Sequence, residues 1–240
     1  MIRVLYTGYA LLVFSILFLI FFFLLLIPIF FQRKHHLVGV LNRWWARSLF
    51  FLTFLPVKIE WRFKPDPRKQ YIFCPNHFSY LDIPAMGLNK HNTIFVGKND
   101  MENIPLFGFM YRKLHITVDR SKLKSKFNTF IRSCQAVDEG KSLVIYPEGG
   151  IISEKEPVMA RLKDGAFRVA IEKQIPLVPV TIPFNRVILP PDEFLLRWGK
   201  VKLIFHEPLE TSGKTLEDMP ALKQQLYSVI QTELNRHYAT

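Results

Sequence analysis

Between residues 4 and 31 the chain carries no charged side chain, and the stretch is dense in Leu, Ile and Phe. At about 1.5 Å per residue, a helix over such a run exceeds the roughly 30 Å hydrocarbon core of a bilayer. A surface helix of a soluble domain shows a polar face, and this run has none. A signal peptide has an apolar region of only about 7 to 15 residues and a small-residue cleavage site, and neither is present. The run therefore predicts a membrane segment. Arg33, Lys34, Arg43 and Arg47 follow it, against Arg3 and the amino group before it, so the positive-inside tendency places the remainder on the cytoplasmic side. The charge difference is modest, which leaves open a segment that lies in one leaflet without crossing.

Residues 37–57 form a second apolar stretch, interrupted by Asn42, Arg43 and Arg47 and containing the pair Trp44-Trp45. Arg43 and Arg47 share a face at i, i+4, while Val38, Leu41, Trp45, Leu49 and Leu52 fall on another. This predicts a helix lying in the membrane interface with that second face toward lipid. The competing reading is a domain helix packed on a sheet.

Beyond it, apolar runs alternate with amphipathic ones. Residues 57–63, 71–74, 93–96, 115–118, 142–146, 177–182 and 201–206 read as strands, and 127–137, 165–173 and 215–237 as helices. That order implies an α/β fold, a mixed sheet covered by helices and preceded by the membrane helix and the interfacial helix. The expected division is residues 1–56 for the membrane part and 57–240 for one catalytic domain. The two cysteines, Cys74 and Cys134, make neither a disulfide framework nor a cysteine metal site, and no metal centre is expected.

Chemistry is concentrated at Asn76-His77-Phe78-Ser79-Tyr80-Leu81-Asp82, directly after the apolar run at 71–74. A histidine acting as general base needs a partner that fixes its tautomer and stabilises the imidazolium, and a carboxylate suits that role. Five residues apart on one helix, His77 and Asp82 would be rotated by about 140° and separated by roughly 7.5 Å along the axis. They converge only if His77 sits in a turn and Asp82 in the first turn of the following helix, with Ser79 or Asp82 as N-cap. A strand-end histidine and a helix cap with no chemistry would give the same short pattern.

The stretch resembles the Asn-His-x4-Asp motif of the glycerolipid acyltransferases, the family that includes 1-acylglycerol-3-phosphate acyltransferase. Three more blocks stand in the family's order: Leu114-His115-Ile116-Thr117-Val118-Asp119-Arg120, Val144-Ile145-Tyr146-Pro147-Glu148-Gly149, and Val178-Pro179-Val180-Thr181-Ile182-Pro183. The resemblance covers roughly residues 57 to 210. It implies His77 and Asp82 as catalytic residues, and Asn76, Arg120, Glu148, Gly149 and Lys163 as substrate-binding ones. Where the family commonly reads Glu-Gly-Thr-Arg, this chain reads Glu148-Gly149-Gly150-Ile151, so an arginine expected to hold the acceptor phosphate is missing. Arg120 can still grip a phosphate, and Lys163 can supply a second positive charge.

The activity so implied is transfer of a fatty acyl group from acyl-CoA or acyl carrier protein to a lysolipid hydroxyl, 1-acylglycerol 3-phosphate foremost. The implied setting is phospholipid biosynthesis at a bacterial-type inner membrane, on its cytoplasmic side. No cofactor beyond the donor substrate is needed, because a thiolate leaves readily. A lyso-aminolipid or glycerol 3-phosphate as acceptor stays open, as does a catalytically silent lipid-binding membrane protein. The formal charge of +12, with seven cations and one acid between Arg112 and Arg132, suits an anionic membrane surface or an anionic donor. No nucleic-acid-binding motif accompanies it.

Overall fold

The computed structural model describes residues 1–119, 121–153 and 157–239. A seven-stranded sheet forms its centre: β1 (Val57–Trp61), β2 (Ile72–Pro75), β3 (Thr93–Lys98), β4 (Ile116–Val118), β5 (Ser142–Ile145), β6 (Leu177–Thr181) and β7 (Val201–Phe205). The spatial order is β1-β7-β6-β2-β5-β3-β4. Every neighbouring pair is parallel except β6 with β7. The sheet is therefore mixed, and all seven strands fall within a few residues of the apolar runs.

Strand β2 is buried along its whole length, as a central parallel strand covered on both faces must be. Its side chains alternate between two cores. Ile72 and Cys74 join the core under α5 (Leu123–Asp138), α6 (Gly165–Lys173) and α8 (Met219–Tyr238). Phe73 joins the other, with Ala46 and Phe50 of α2 (Leu37–Leu52) and Ala85 and Met86 of α3 (Asp82–Met86). From β2 the chain continues to β3 on one side of it, whereas from neighbouring β5 it continues to β6 on the other. Right-handed crossovers running in opposite directions leave the sheet on opposite faces, which opens a crevice at the carboxyl ends of β2 and β5.

Helix α1 (Ile2–Phe30) is the helix, among the described residues, long and apolar enough to cross a membrane. It does not stand away from the domain. Near its start Arg3 pairs with Glu193, the Tyr6 hydroxyl donates to the Thr53 carbonyl at 2.7 Å, and Thr7 Oγ1 accepts the Leu196 N–H at 2.9 Å. Farther along, Phe22 and Leu25 pack with Met110 and Leu114 of α4 (Phe107–Leu114). Its other side leaves Leu5, Leu12, Ile16, Ile20, Phe23 and Ile27 exposed.

Helix α2 differs from the sequence expectation. Val38 and Leu49, assigned to the lipid side, are buried against α1 and α4, and Leu41 and Trp45 are half-buried. Of the five so assigned, Leu52 alone is exposed, and the other exposed apolar side chains of the helix are Val40, Trp44 and Phe51. An apolar face selects any apolar partner, and here neighbouring helices reach most of it.

Candidate active site

His77 occupies the turn that leaves β2, and Asp82 opens α3, so the two meet where a continuous helix would have parted them. Asp82 Oδ2 lies 3.0 Å from His77 Nδ1 and also accepts the backbone N–H groups of Phe78 at 2.8 Å and Ser79 at 2.9 Å. Neither Ser79 nor Asp82 is the N-cap; that position belongs to Leu81, whose N–H is taken by Ser79 Oγ at 3.1 Å. The carboxylate is spent on the turn instead, because three donors converge on one of its oxygens.

The second oxygen has its own partner. Asn185, fully buried in α7 (Asn185–Ile188), donates Nδ2–H to Asp82 Oδ1 at 2.9 Å. Asp82 is itself fully buried, and a buried carboxylate needs such a shell of donors. Sequence reading missed Asn185, and the nearest signal for it was its place just past the Val178–Pro183 block.

Two residues expected to contact substrate turn out to brace the backbone. The Asn76 side chain donates to the Ile182 carbonyl at 3.0 Å and accepts the Ile182 N–H at 2.7 Å, stitching the end of β2 to the chain leaving β6. Both ends of the amide are engaged, and the side chain has no exposed surface. Glu148 is equally buried: Oε1 accepts the His77 N–H at 2.7 Å and Oε2 the Ala160 N–H at 2.8 Å. Burial pushes its carboxyl up to about 7, overriding the two backbone donors that act in the opposite sense. The carboxylate thus ties the histidine turn to the segment after β5.

Gly149 follows with φ +85°, a left-handed conformation that favours glycine, and its N–H closes a turn on the Tyr146 carbonyl at 3.0 Å. The Tyr146 ring stacks on His77, centroids 4.0 Å apart at 25°. Lys163 is exposed, its N–H bonded to the Pro147 carbonyl at 2.7 Å. Arg120 lies outside the described residues. Among the described residues no group of three or more His, Cys, Asp or Glu side chains is placed to hold a metal ion.

His77 faces an apolar cavity of about 600 Å³, walled by Phe14, Phe18 and Phe22 of α1, Trp45 of α2 and Met110 of α4. Gly149, Gly150 and Ile151 bound it near the histidine. A second cavity of about 820 Å³ shares Val96, Tyr146, Gly149 and Ile152 with the first, so the two meet at the turn beside His77. A base held by a carboxylate, at the junction of two largely apolar cavities, is equipped to take a proton from a hydroxyl on an amphiphile.

Comparison with known proteins gives the family and the fold. A 1-acyl-sn-glycerol-3-phosphate acyltransferase of Haemophilus influenzae is 26% identical over 206 residues, covering 82% of this chain and 81% of that protein. An uncharacterized acyltransferase of Schizosaccharomyces pombe is 26% identical over 185 residues, 73% of this chain and 66% of its own length. A 1-acyl-sn-glycerol-3-phosphate acyltransferase of Chlamydomonas reinhardtii is 27% identical over 172 residues, 71% of this chain and 51% of its own length. The chain thus spans between about half and two thirds of the latter two relatives. The crystal structure of the 1-acyl-sn-glycerophosphate (LPA) acyltransferase PlsC from Thermotoga maritima superposes with a TM-score of 0.81 at 20% identity, over 99% of this chain and 97% of that one, and shows the same fold. The profile of the Acyltransferase family matches residues 58–183, which is more than half of the chain and includes His77, Asp82, Asn76 and Glu148, and the chain therefore belongs to the Acyltransferase family.

Proposed function

We propose that this acyltransferase moves a fatty acyl group from a thioester, acyl-CoA or acyl carrier protein, to the free hydroxyl of a lysolipid, with 1-acylglycerol 3-phosphate as the principal acceptor. The observation that carries the reading is the His77–Asp82 contact of 3.0 Å at the wall of an apolar cavity. With Asp82 accepting at Nδ1, the proton of neutral His77 resides there and Nε2 is free to accept the hydroxyl proton. The hydroxyl oxygen bonds to the thioester carbonyl carbon, the C–S bond breaks, and the departing thiolate recovers the proton from the imidazolium. Backbone N–H groups of Gly150 and Ile151, beside His77 in the cavity wall, hold the oxyanion.

The apolar cavity takes the donor's acyl chain. Gly150-Ile151, in place of a threonine and an arginine, favours a second reading in which the acceptor is a lyso-aminolipid. Acyl transfer by the full chain in detergent, with paired thioester donors and both acceptors, separates the two. Product from 1-acylglycerol 3-phosphate supports the first; product from the lyso-aminolipid alone replaces it with the second; binding without turnover to either leaves a silent lipid-binding protein.

The same reading attaches the enzyme to a membrane through α1. Contacts from Arg3 to Leu25 hold this helix along the domain, so crossing the bilayer would carry folded protein into the hydrocarbon. The helix therefore lies in one leaflet, its exposed Leu5, Ile16 and Phe23 toward lipid. Both native cysteines are buried, so spin labels on Leu5→Cys and Phe23→Cys report depth selectively. Equal depths are expected. A spanning helix would separate them by about 27 Å.

A further inference from the structure

The second cavity has a chemistry of its own. Its walls are apolar, with Val118, Phe130, Ile145 and Val169 among them, while three cations, Lys126 of α5, Lys163, and Arg168 of α6, also line it. We propose that Lys126 and Arg168, together with Lys163, hold the anionic headgroup of the acceptor and set its specificity, doing at this cavity what an arginine after Gly149 would otherwise do. The inference deepens the lysolipid reading above and rests on it.

Four observations support the assignment. The cavity reaches Glu148 and Gly149, the residues that border the His77 turn, so a bound amphiphile has a path from the cations to the base. The two acids that line it are already engaged: Asp164 pairs with Lys223 at 2.8 Å, and Glu148 has each oxygen on a backbone N–H. Lys126, Lys163 and Arg168 form no ion pair with a described residue, so their charge is available to a ligand. The nine-residue helix α6 begins in the same wall, at Gly165 and Ala166, and its first N–H groups and dipole also favour an anion.

Charge alone would fit a free phosphate or the phosphates of the donor equally well. The apolar lining favours a ligand that carries a chain, and the exposed Leu123 and Phe127 that flank Lys126 extend the apolar surface outward, as an acceptor arriving from lipid requires. The chemical class is thus a single-chain amphiphile with an anionic headgroup.

Initial rates of the full chain in detergent micelles test this, comparing 1-acylglycerol 3-phosphate with uncharged monoacylglycerol and varying the acyl-CoA separately. Lys126→Gln and Arg168→Gln are each expected to raise KM for 1-acylglycerol 3-phosphate by roughly ten-fold, the scale of a lost charge-assisted contact. Preference for it over monoacylglycerol should fall by the same factor. Equilibrium binding of labelled 1-acylglycerol 3-phosphate should weaken in parallel, and this arm remains decisive even if the wild type turns over no lysolipid. Three results would overturn the inference: unchanged KM and binding, equal losses for the charged and uncharged acceptors, or a rise in KM for acyl-CoA only, which would assign the cations to the donor. Unfolding midpoints of both variants guard against a trivial loss of structure.

Discussion

Replacing His77 by alanine is expected to lower acyl transfer by about 10²-fold or more, the scale of a positioned general base, while leaving a folded protein. The imidazole is the titratable group that both lines the first cavity and contacts a fully buried carboxylate. Its loss removes the acceptor for the hydroxyl proton. Folding should survive because Asp82 keeps the Phe78 and Ser79 N–H groups on Oδ2 and Asn185 on Oδ1. The measurement is the steady-state rate with matched thermal unfolding curves. A rate within a few-fold of wild type would remove His77 from the mechanism, whereas a large loss of rate together with an intact unfolding transition would place it there.

Glu148→Gln is expected to cost both activity and stability, with a pH signature that a substrate contact would not produce. The native carboxylate accepts two N–H groups, one on each oxygen. An amide offers one acceptor, so its NH2 must face either the His77 or the Ala160 N–H. A buried donor left without an acceptor costs about 1–3 kcal/mol, and relaxation would move the histidine turn, where a displacement of about 1 Å can cost ~10²-fold in rate.

The pH dependence follows from burial, which raises the Glu148 carboxyl from 4.5 to about 7. Between those values the folded state holds a proton that the unfolded state has released. Stability from this group is therefore greatest below 4.5 and declines as pH rises to about 7, by up to ~3 kcal/mol. Denaturation midpoints at pH 5 and pH 8 should show this decline in wild type and a shallower one in Glu148→Gln. Parallel slopes in the two proteins would refute the assignment.

The sheet was legible because its strands are short apolar runs bounded by turns, and a central strand such as β2 needs no alternation to be recognised once the flanking runs repeat. Helix α6 was read at its observed bounds. Helix α5 starts earlier than its apolar pattern suggested, since Leu123, Lys124 and Lys126 lie exposed in its first turns and carry no periodic signal. Helix α4 was not anticipated: it is eight residues long, includes Gly108, and follows Leu106 at φ +61°, so neither length nor propensity announces it. Helix α7 is a single turn.

Side-chain roles were harder to read than elements. Asn76 and Glu148 stand in motif blocks, and polar residues beside a base suggest contact with substrate. Their observed partners are backbone groups on Ile182, His77 and Ala160, which lie far away in sequence or become neighbours only when β2, β5 and β6 align. Asn185 stands 103 positions from Asp82 and had no local pattern to mark it.

By itself the sequence determined the strand content, the apolar N-terminal helix, and the pairing of a base with a carboxylate. Each of these is local: period, hydrophobicity and spacing act over a few residues. Tertiary structure alone decided which face of α2 is covered, that α1 runs along the domain, that Asp82 receives four donors, and that two cavities meet beside His77. Those outcomes depend on distant segments competing for the same apolar surface and the same buried hydrogen-bonding groups, and that competition is resolved only when the sheet closes.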